Sequence, residues 1–177
     1  EHQEGEHEFH GELDEMHNSE HDEHEHGGDL PIYQYSQVDA TLSGFEAQVN
    51  YQITSELHSL VQLDYVRARS DNGNLPRTPP MRALIKGTYQ TDDYMAQVAL
   101  QHVFEQDNVA AEESHTDAYT LVNANFNYYM DVQNVDLVLY AQVKNLFDEY
   151  AQVHTSFLKD EAPLAGRNIK VGIRGQF

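Results

Sequence analysis

Apolar and polar side chains alternate along most of the chain after residue 37, in seven runs separated by polar links. In the first run, around 38–53, Phe45, Val49 and Ile53 fall on one face of an extended strand, and amide and glutamate side chains fall on the other. The remaining runs lie near 57–69, 81–90, 93–104, 117–129, 135–147 and 167–177. Because successive side chains of a strand point to opposite faces, this period of two predicts seven β-strands, each with one apolar and one polar face.

The links between the runs alternate in length. Short links at 54–55, 91–92 and 131–134 separate long ones at 1–36, 70–80, 105–116 and 148–166. Short turns at one end and long loops at the other are typical of outer-membrane β-barrels, whose strands span the bilayer in about 9–11 residues. Tyrosines beside the short links predict an aromatic girdle at the membrane interface: Tyr51, Tyr89, Tyr94, Tyr128 and Tyr129. The pattern predicts an all-β, antiparallel meander of about seven transmembrane strands.

The apolar face of each run is expected to contact outer-membrane lipid. The residues predicted to face lipid are Phe45, Val49, Val61, Leu63, Ile85, Val98, Leu100, Phe126, Leu137, Leu139, Val171 and Ile173. Alternation alone is also compatible with a soluble β-sandwich, in which the apolar faces would be turned inward.

The first 29 residues differ completely from the rest, with 12 Asp or Glu, 7 His and no Lys or Arg. Such a segment buries too little apolar surface to offset its chain entropy, so it is expected to be largely disordered. We therefore expect a His/Asp/Glu-rich loop over 1–36 and barrel strands over 37–177. The chain begins at Glu1 without a secretory signal, which suggests a mature end or an interior fragment.

The formal charge of −20 disfavours nucleic acid as a partner, because phosphate binding needs clustered Lys and Arg. The chain has no cysteine, which excludes disulfides and thiolate metal sites. It also contains no GxSxG, HExxH or phosphate-loop motif, so we do not expect an enzyme and predict no catalytic residues.

Histidine and carboxylate side chains in the N-terminal segment have the chemistry of a metal-capturing loop. Neutral imidazole binds zinc, copper, nickel and iron, and carboxylate oxygens add charge attraction and direct ligation. Short histidine spacings let several imidazoles meet in a flexible loop. The predicted metal ligands are His2, His7, His10, His17, His21, His24 and His26, with Glu20, Asp22, Glu23 and Glu25. The alternative is a solvated acidic loop without a specific ligand.

Two C-terminal motifs carry a resemblance to a known family. The segment NLFDEY starts at Asn145, and GRNIKVGIRGQF ends at Phe177 after a preceding FLKDEAPLAG. Together with Gly44-Phe45-Glu46 in the first run, these segments resemble the C-terminal part of TonB-dependent outer-membrane receptors. In that family the Asn-Leu-Phe-Asp motif closes the penultimate strand at the outer rim, and an aromatic residue ends the last strand.

The resemblance implies that the chain is the C-terminal part of a 22-stranded outer-membrane β-barrel, a barrel of about the size of known outer-membrane transporters. It further implies a plug domain and a segment that binds the TonB complex, both of which belong to an N-terminal region that this chain lacks. The location expected is the bacterial outer membrane, with 1–36 extracellular. The histidine-rich segment and FLKDEAPLAGRN most resemble the zinc-uptake (ZnuD-type) receptors.

The expected function is capture and import of a divalent metal ion, with zinc as the transported or loop-bound ion. A haem or metallophore receptor of the same superfamily is one alternative, with Tyr150 and His154 as a weak pair of haem ligands. A soluble β-sandwich metal-buffering or adhesion protein with a histidine-rich tail is another. Of the other histidines, His58 and His102 are expected in the lumen or at the rim, and His115 and His154 as solvated loop side chains.

Overall fold

The structure, a computed structural model, describes residues 37–133 and 135–176. The predicted loop 1–36, Asn134 and the terminal Phe177 lie outside the described residues. Within them are eight strands: β1 (Ala40–Gln52), β2 (Leu57–Ser70), β3 (Gly73–Asn74), β4 (Arg82–Gln90), β5 (Tyr94–Val103), β6 (Tyr119–Val132), β7 (Val135–Lys144) and β8 (Asn168–Gln176).

All eight strands belong to one antiparallel sheet in the order β1-β2-β4-β5-β6-β7-β8, in which each long strand pairs with the next along the chain. The predicted all-β meander is therefore confirmed. The strand count differs by β3, a two-residue strand that pairs with the end of β2 through Arg69 and Asn74. It was missed because a pair of residues cannot show alternation. The sixth run, expected at 135–147, ends as a strand at Lys144 because the chain turns at Asn145.

The strand register assembles the apolar side chains on one face of the sheet. Directly paired residues share a face, and Val49 pairs with Val61, which also pairs with Ile85. The same face continues to Ile173, which pairs with Leu139. Of the twelve residues predicted to face lipid, ten are exposed in this chain, and Leu63 and Leu137 are partly covered. We call this surface the apolar face and the opposite one the polar face.

The short links join the strands at one end of the sheet, which we call the short-turn end. There the Thr54 hydroxyl accepts the backbone N–H of Leu57, and Thr91 caps the next turn by accepting the N–H of Tyr94. Tyr89 and Tyr94 stack with ring centroids 5.8 Å apart. Four of the five girdle tyrosines share the apolar face. Tyr129 was wrongly assigned to this group, because it pairs with Val138 on the polar face.

The three loops at the other end, the long-loop end, are 71–81 with β3, 104–118 and 145–167. They pack against one another. A small apolar cluster of Val103, Tyr119 and Ala151 lies where β5, β6 and the last loop meet. Among the described residues no helix is long and apolar enough to cross a membrane.

The Asn-Leu-Phe-Asp segment forms the turn that leaves β7. Asn145 and Asp148 have left-handed backbone angles, with φ of 51° and 60°, which asparagine and aspartate tolerate better than most residues. The Asn145 side chain accepts the N–H of Glu149 at 2.8 Å and donates to the carbonyl of Glu149. Asp148 accepts the N–H of Arg167 at 2.7 Å, which ties the start of the loop to its end. These bonds explain why the motif needs its two polar residues.

Gly44, in the first-strand motif, has a different structural reason. A Cβ at this position would collide with the backbone carbonyl oxygen of Tyr65 on β2. The close approach of the two strands therefore requires glycine.

Candidate functional site

The metal ligands predicted in the N-terminal segment lie outside the described residues. The predicted ligands His2, His7, His10, His17, His21, His24, His26, Glu20, Asp22, Glu23 and Glu25 therefore remain predictions. Across 37–133 and 135–176, no group of three or more histidine, cysteine, aspartate or glutamate residues is placed to hold a metal ion. The described residues instead form two polar arrangements, one on the polar face and one at the long-loop end.

A row of amide side chains crosses the polar face. Gln97 on β5 donates to the Thr88 hydroxyl at 3.1 Å and accepts from Asn125 on β6 at 3.3 Å. Gln142 on β7 continues the row by donating to the Asn125 oxygen at 2.8 Å. Lys170 on β8 is the residue paired with Gln142. These bonds join side chains from four neighbouring strands, β4 to β7, in one line of alternating donors and acceptors.

The amide row borders a groove of about 560 Å³ on the polar face. Amides, Tyr129, Tyr140 and the cations Lys170 and Arg174 line it. A groove of neutral amides and ammonium or guanidinium groups offers hydrogen bonds to polar or anionic groups. It does not offer the carboxylates and imidazoles that coordinate zinc.

The second arrangement is a buried cluster of polar side chains at the long-loop end. We call it the loop cluster and define it as Glu113, Thr116, His154 and Lys159. Lys159 is buried, and its ammonium group donates to the Ser114 carbonyl, to the His115 carbonyl at 3.3 Å and to the Thr116 hydroxyl at 3.2 Å. These acceptors offset the cost of burying a charge.

His154 is only 2 % exposed. Its Nδ1 lies 2.8 Å from the Thr116 hydroxyl, and its Nε2 lies 3.3 Å from a carboxylate oxygen of Glu113. Burial lowers the pKa of His154, because it disfavours the imidazolium form. The positive charges of Lys159 and Arg77 lower it further, whereas the Glu113 carboxylate opposes both effects. His154 is therefore held as a neutral imidazole.

Glu113 connects this cluster to the loop after β2. One carboxylate oxygen accepts the backbone N–H of Arg77 at 2.8 Å, and the other accepts that of Ala110 at 3.2 Å. The Arg77 guanidinium in turn lies over the Phe157 ring, 3.1 Å from its centroid. The three long loops are thus joined by side chains far apart in sequence.

The prediction that His154 is a solvated loop imidazole is wrong, because its contacts with the 104–118 loop bury it. Burial also argues against Tyr150 and His154 as a haem-ligand pair, since Nδ1 already faces the Thr116 hydroxyl and Nε2, which makes no hydrogen bond with a described residue, is enclosed beside Glu113. The prediction for His115 agrees with the structure, in which its side chain is exposed beside Asp117. His58 lies on the polar face, at the short-turn end.

His102 lies on the apolar face near the long-loop end, at the rim rather than in the lumen. Its Nδ1 is 2.8 Å from the Thr120 hydroxyl, and its ring meets Phe104 edge-on at a centroid distance of 4.5 Å. Neither the amide row nor the loop cluster was identified in the sequence. The asparagines and glutamines of the polar face were visible in the alternation, but only the register shows that they are hydrogen-bonded neighbours.

Comparison with known proteins agrees with this architecture. Residues 15–146 match the family described as TonB dependent receptor-like, beta-barrel, and the chain belongs to this family. Its members are bacterial outer-membrane β-barrel transporters rather than enzymes.

Two solved structures are similar to the chain. One is the copper transporter OprC, with a TM-score of 0.70 and 26% identity over 78% of this chain and 23% of that one. The other is the ferric-catecholate import receptor Fiu from K12 E. coli, with a TM-score of 0.58 and 21% identity over 76% of this chain and 20% of that one. At that identity Fiu supports the fold alone. The chain spans less than a quarter of the length of either structure.

Proposed function

We propose that the chain is the C-terminal barrel segment of a receptor that captures a divalent metal ion, zinc, at the bacterial surface for TonB-dependent import. The observation that carries this proposal is the N-terminal segment, with 7 histidines and 12 acids in 29 residues and no lysine or arginine. Membership in the receptor family supplies the barrel and, by its known partnership, the TonB complex as the source of energy.

The direction of the chain supports an extracellular position for residues 1–36. β1 begins, at Ala40, at the same end of the sheet as the three long loops, because Ala40 pairs with Ser70. Barrels of the outer membrane have short periplasmic turns and longer extracellular loops, so we assign the long-loop end to the outside. The apolar face, with Val171 the most exposed of its large side chains, is then the lipid-facing surface.

Zinc is the preferred cargo because of the ligand chemistry. Imidazole and carboxylate suit Zn²⁺, whereas Cu⁺ prefers thiolate and thioether sulfur. The first 29 residues contain one methionine, Met16, and the chain has no cysteine. Flexible ligands lose entropy when they become ordered, so the segment should bind metal with modest affinity and exchange it quickly, as capture requires.

Copper is a second candidate because the chain is 26% identical to a copper transporter over most of its length. Cu²⁺ binds nitrogen and oxygen ligands more tightly than Zn²⁺ in general, so binding alone does not separate the two metals. Uptake does. A zinc receptor restores growth of a receptor-deficient strain under zinc limitation, and a copper receptor restores it under copper limitation.

The direct test is zinc binding by the full-length receptor, measured calorimetrically between about pH 7.5 and 5.5, across the imidazole titration. Binding should weaken as the pH falls, because protonated imidazole cannot coordinate metal. Replacing His17, His21, His24 and His26 together with alanine should reduce binding and slow growth under zinc limitation while barrel assembly stays intact. The control replaces His58 and His115, both exposed in the described part of the chain. If the fourfold variant bound zinc as well as the wild type does, the histidines would not be the ligands, and the segment would be a solvated acidic loop.

A further inference from the structure

Formal charge is distributed unequally between the two faces of the sheet. All four carboxylates in the described strands, Glu46, Asp64, Asp131 and Asp136, are on the polar face. Within the same strands the apolar face carries two formal charges, Arg67 and Arg69, both positive and both at the long-loop end of β2. The chain has 30 acidic and 10 basic residues, so charged positions taken at random would be mostly acidic. Two arginines as the formal charges of the apolar face are therefore unexpected.

The neighbours of the two arginines on this face are neutral hydrogen-bonding side chains. Ser43 pairs with Arg67, and Thr41 and Asn74 pair with Arg69 on either side. Hydroxyl and amide groups beside arginine are a common set of phosphate contacts. We call Arg67, Arg69, Ser43, Thr41 and Asn74 the cationic rim.

The two guanidinium groups differ in their accessibility to a ligand. Arg67 donates through Nη2 to Asn108 at 2.6 Å, but its Nε is buried without a partner in the described part of the chain. The Arg69 side chain is exposed and forms no hydrogen bond or ion pair with any described residue. Among the described residues, Asp39 before β1 and Asp71 after β2 form no ion pair with either arginine, and Asp64 pairs with Arg82 instead.

Below the cationic rim the apolar face changes character in layers. The next pair towards the short-turn end is Phe45 and Tyr65, with ring centroids 5.9 Å apart. Beyond it come Ala47 with Leu63, then Val49 with Val61. The strand from Val61 to Arg67, six residue steps along β2, is about 20 Å long. Aliphatic, aromatic and cationic side chains thus follow one another as acyl chains, interface and headgroups do in a leaflet.

We propose that the cationic rim binds the phosphate group of an anionic lipid in the outer leaflet of the membrane. The lipid's acyl chains lie along the aliphatic and aromatic pairs below. Its phosphate accepts hydrogen bonds from Arg69 and from the Thr41 and Ser43 hydroxyls, and the positive charge of Arg67 adds electrostatic attraction. The proposal rests on the membrane location given under the proposed function and does not depend on the metal transported. A lipid is favoured over free phosphate because the apolar layers below the rim match its acyl chains.

The test measures binding of a phosphorylated glycolipid, lipid A, to the full-length receptor in detergent micelles by native mass spectrometry. Arg69→Gln is the decisive variant, because the exposed Arg69 side chain forms no hydrogen bond or ion pair with a described residue and its loss should leave the fold intact. Each arginine near an anionic membrane surface adds electrostatic attraction to the lipid. Arg69→Gln and Arg67→Gln should therefore each weaken lipid A binding about fivefold. Lys86→Gln, which removes the same charge from the polar face, should bind lipid A as the wild type does.

Two further arms identify the ligand. Dephosphorylated lipid A should bind the wild type no better than lipid A binds a variant that carries both Arg67→Gln and Arg69→Gln. Inorganic phosphate should not displace lipid A at millimolar concentration. Equal binding by wild type and Arg69→Gln, equal binding of the dephosphorylated lipid, or displacement by inorganic phosphate would each overturn the proposal. The fourfold histidine variant should bind lipid A normally, so a failure of metal capture and a failure of lipid binding are separate results.

Discussion

The strands and the long-loop end of this chain are stabilised in different ways. Every described residue classed as buried lies at the long-loop end: Ala68, Val103 and Tyr119 near strand ends, and Thr78, Gln106, Thr116, Asn145, Ala151, His154 and Lys159 in loops. The middle of the strands has none. There the backbone ladder joins neighbouring strands, and the side chains of both faces stay at least partly exposed.

The strands and the long loops differ in this way because the strands face lipid and the loops face water. A sheet that closes into a membrane barrel needs no side-chain core between layers, because lipid covers its apolar face. Loops that extend into water must exclude water from their own backbone groups and satisfy them internally. Polar side chains do this here, with Lys159 and Asn145 donating to backbone carbonyls. The three predictions that follow test this contrast, from the largest expected effect to the smallest.

The largest effect is expected on the apolar face in the middle of a strand. Leu100→Arg should lower the free energy of unfolding of the full-length receptor by about 2–4 kcal/mol, the cost of placing arginine at the bilayer midplane. Gln101→Arg is the matched control, since Gln101 is the next residue and pairs with Leu84 and Leu121 on the polar face. Urea titration of the receptor folded into lipid vesicles measures both. Equal penalties would show that the two faces are wrongly assigned.

A somewhat smaller effect is expected at the turn after β7. Asn145→Ala removes side-chain bonds to Glu149 and Ala165 and places alanine at a φ of 51°. Together these changes should cost about 2–3 kcal/mol. Because the loops are stabilised separately from the strands, hydrogen exchange should speed up in 145–167 and stay slow in β5 and β6. Asn108→Ala, in another long loop, controls for general loop loosening. Exchange that accelerates equally in the strands would contradict the separation of the two regions.

The smallest effect is a pH dependence confined to the loop cluster. The pKa of His154 is lowered from its ordinary value of 6.5 in the folded state, so the unfolded loop binds the proton first. The contribution of neutral His154 to the stability of the folded loop is therefore complete above about pH 6.5. It is lost as the pH falls towards the pKa of His154 in the folded state. Glu113, Lys159 and Arg77 are the charged groups that act on His154.

We expect amide exchange at Thr116 and Leu164 to accelerate, relative to the intrinsic rate, as the pH falls below about 6.5 and His154 becomes protonated. His154→Gln should cost about 1 kcal/mol for an imperfectly replaced hydrogen bond, and it should abolish this pH dependence. His115→Gln is the control, because His115 is exposed in the adjoining part of the loop. Persistence of the pH dependence in His154→Gln would assign it to another group.

The sequence by itself determined the strands and the chemistry of their two faces. Alternation is a local property, since each side chain's face depends only on its position in the strand, and Val98 and Gln97 could be assigned to opposite faces before their partners were known. The motif at Asn145 likewise indicated the family, because the residues that make the turn are adjacent in the chain. The metal ligands of 1–29 also follow from composition, and they stay a prediction.

Only the tertiary structure decided which side chains meet. Lys159 contacts carbonyls 44 and 45 residues away, and His154 faces Thr116 across 38 residues. No local pattern marks these partners, so His154 was taken as solvated and Tyr129 as part of the girdle. The cationic rim was equally hidden, because it depends on Arg67 and Ser43 being paired across two strands. Register and loop packing set these contacts, and both arise from how the whole sheet assembles.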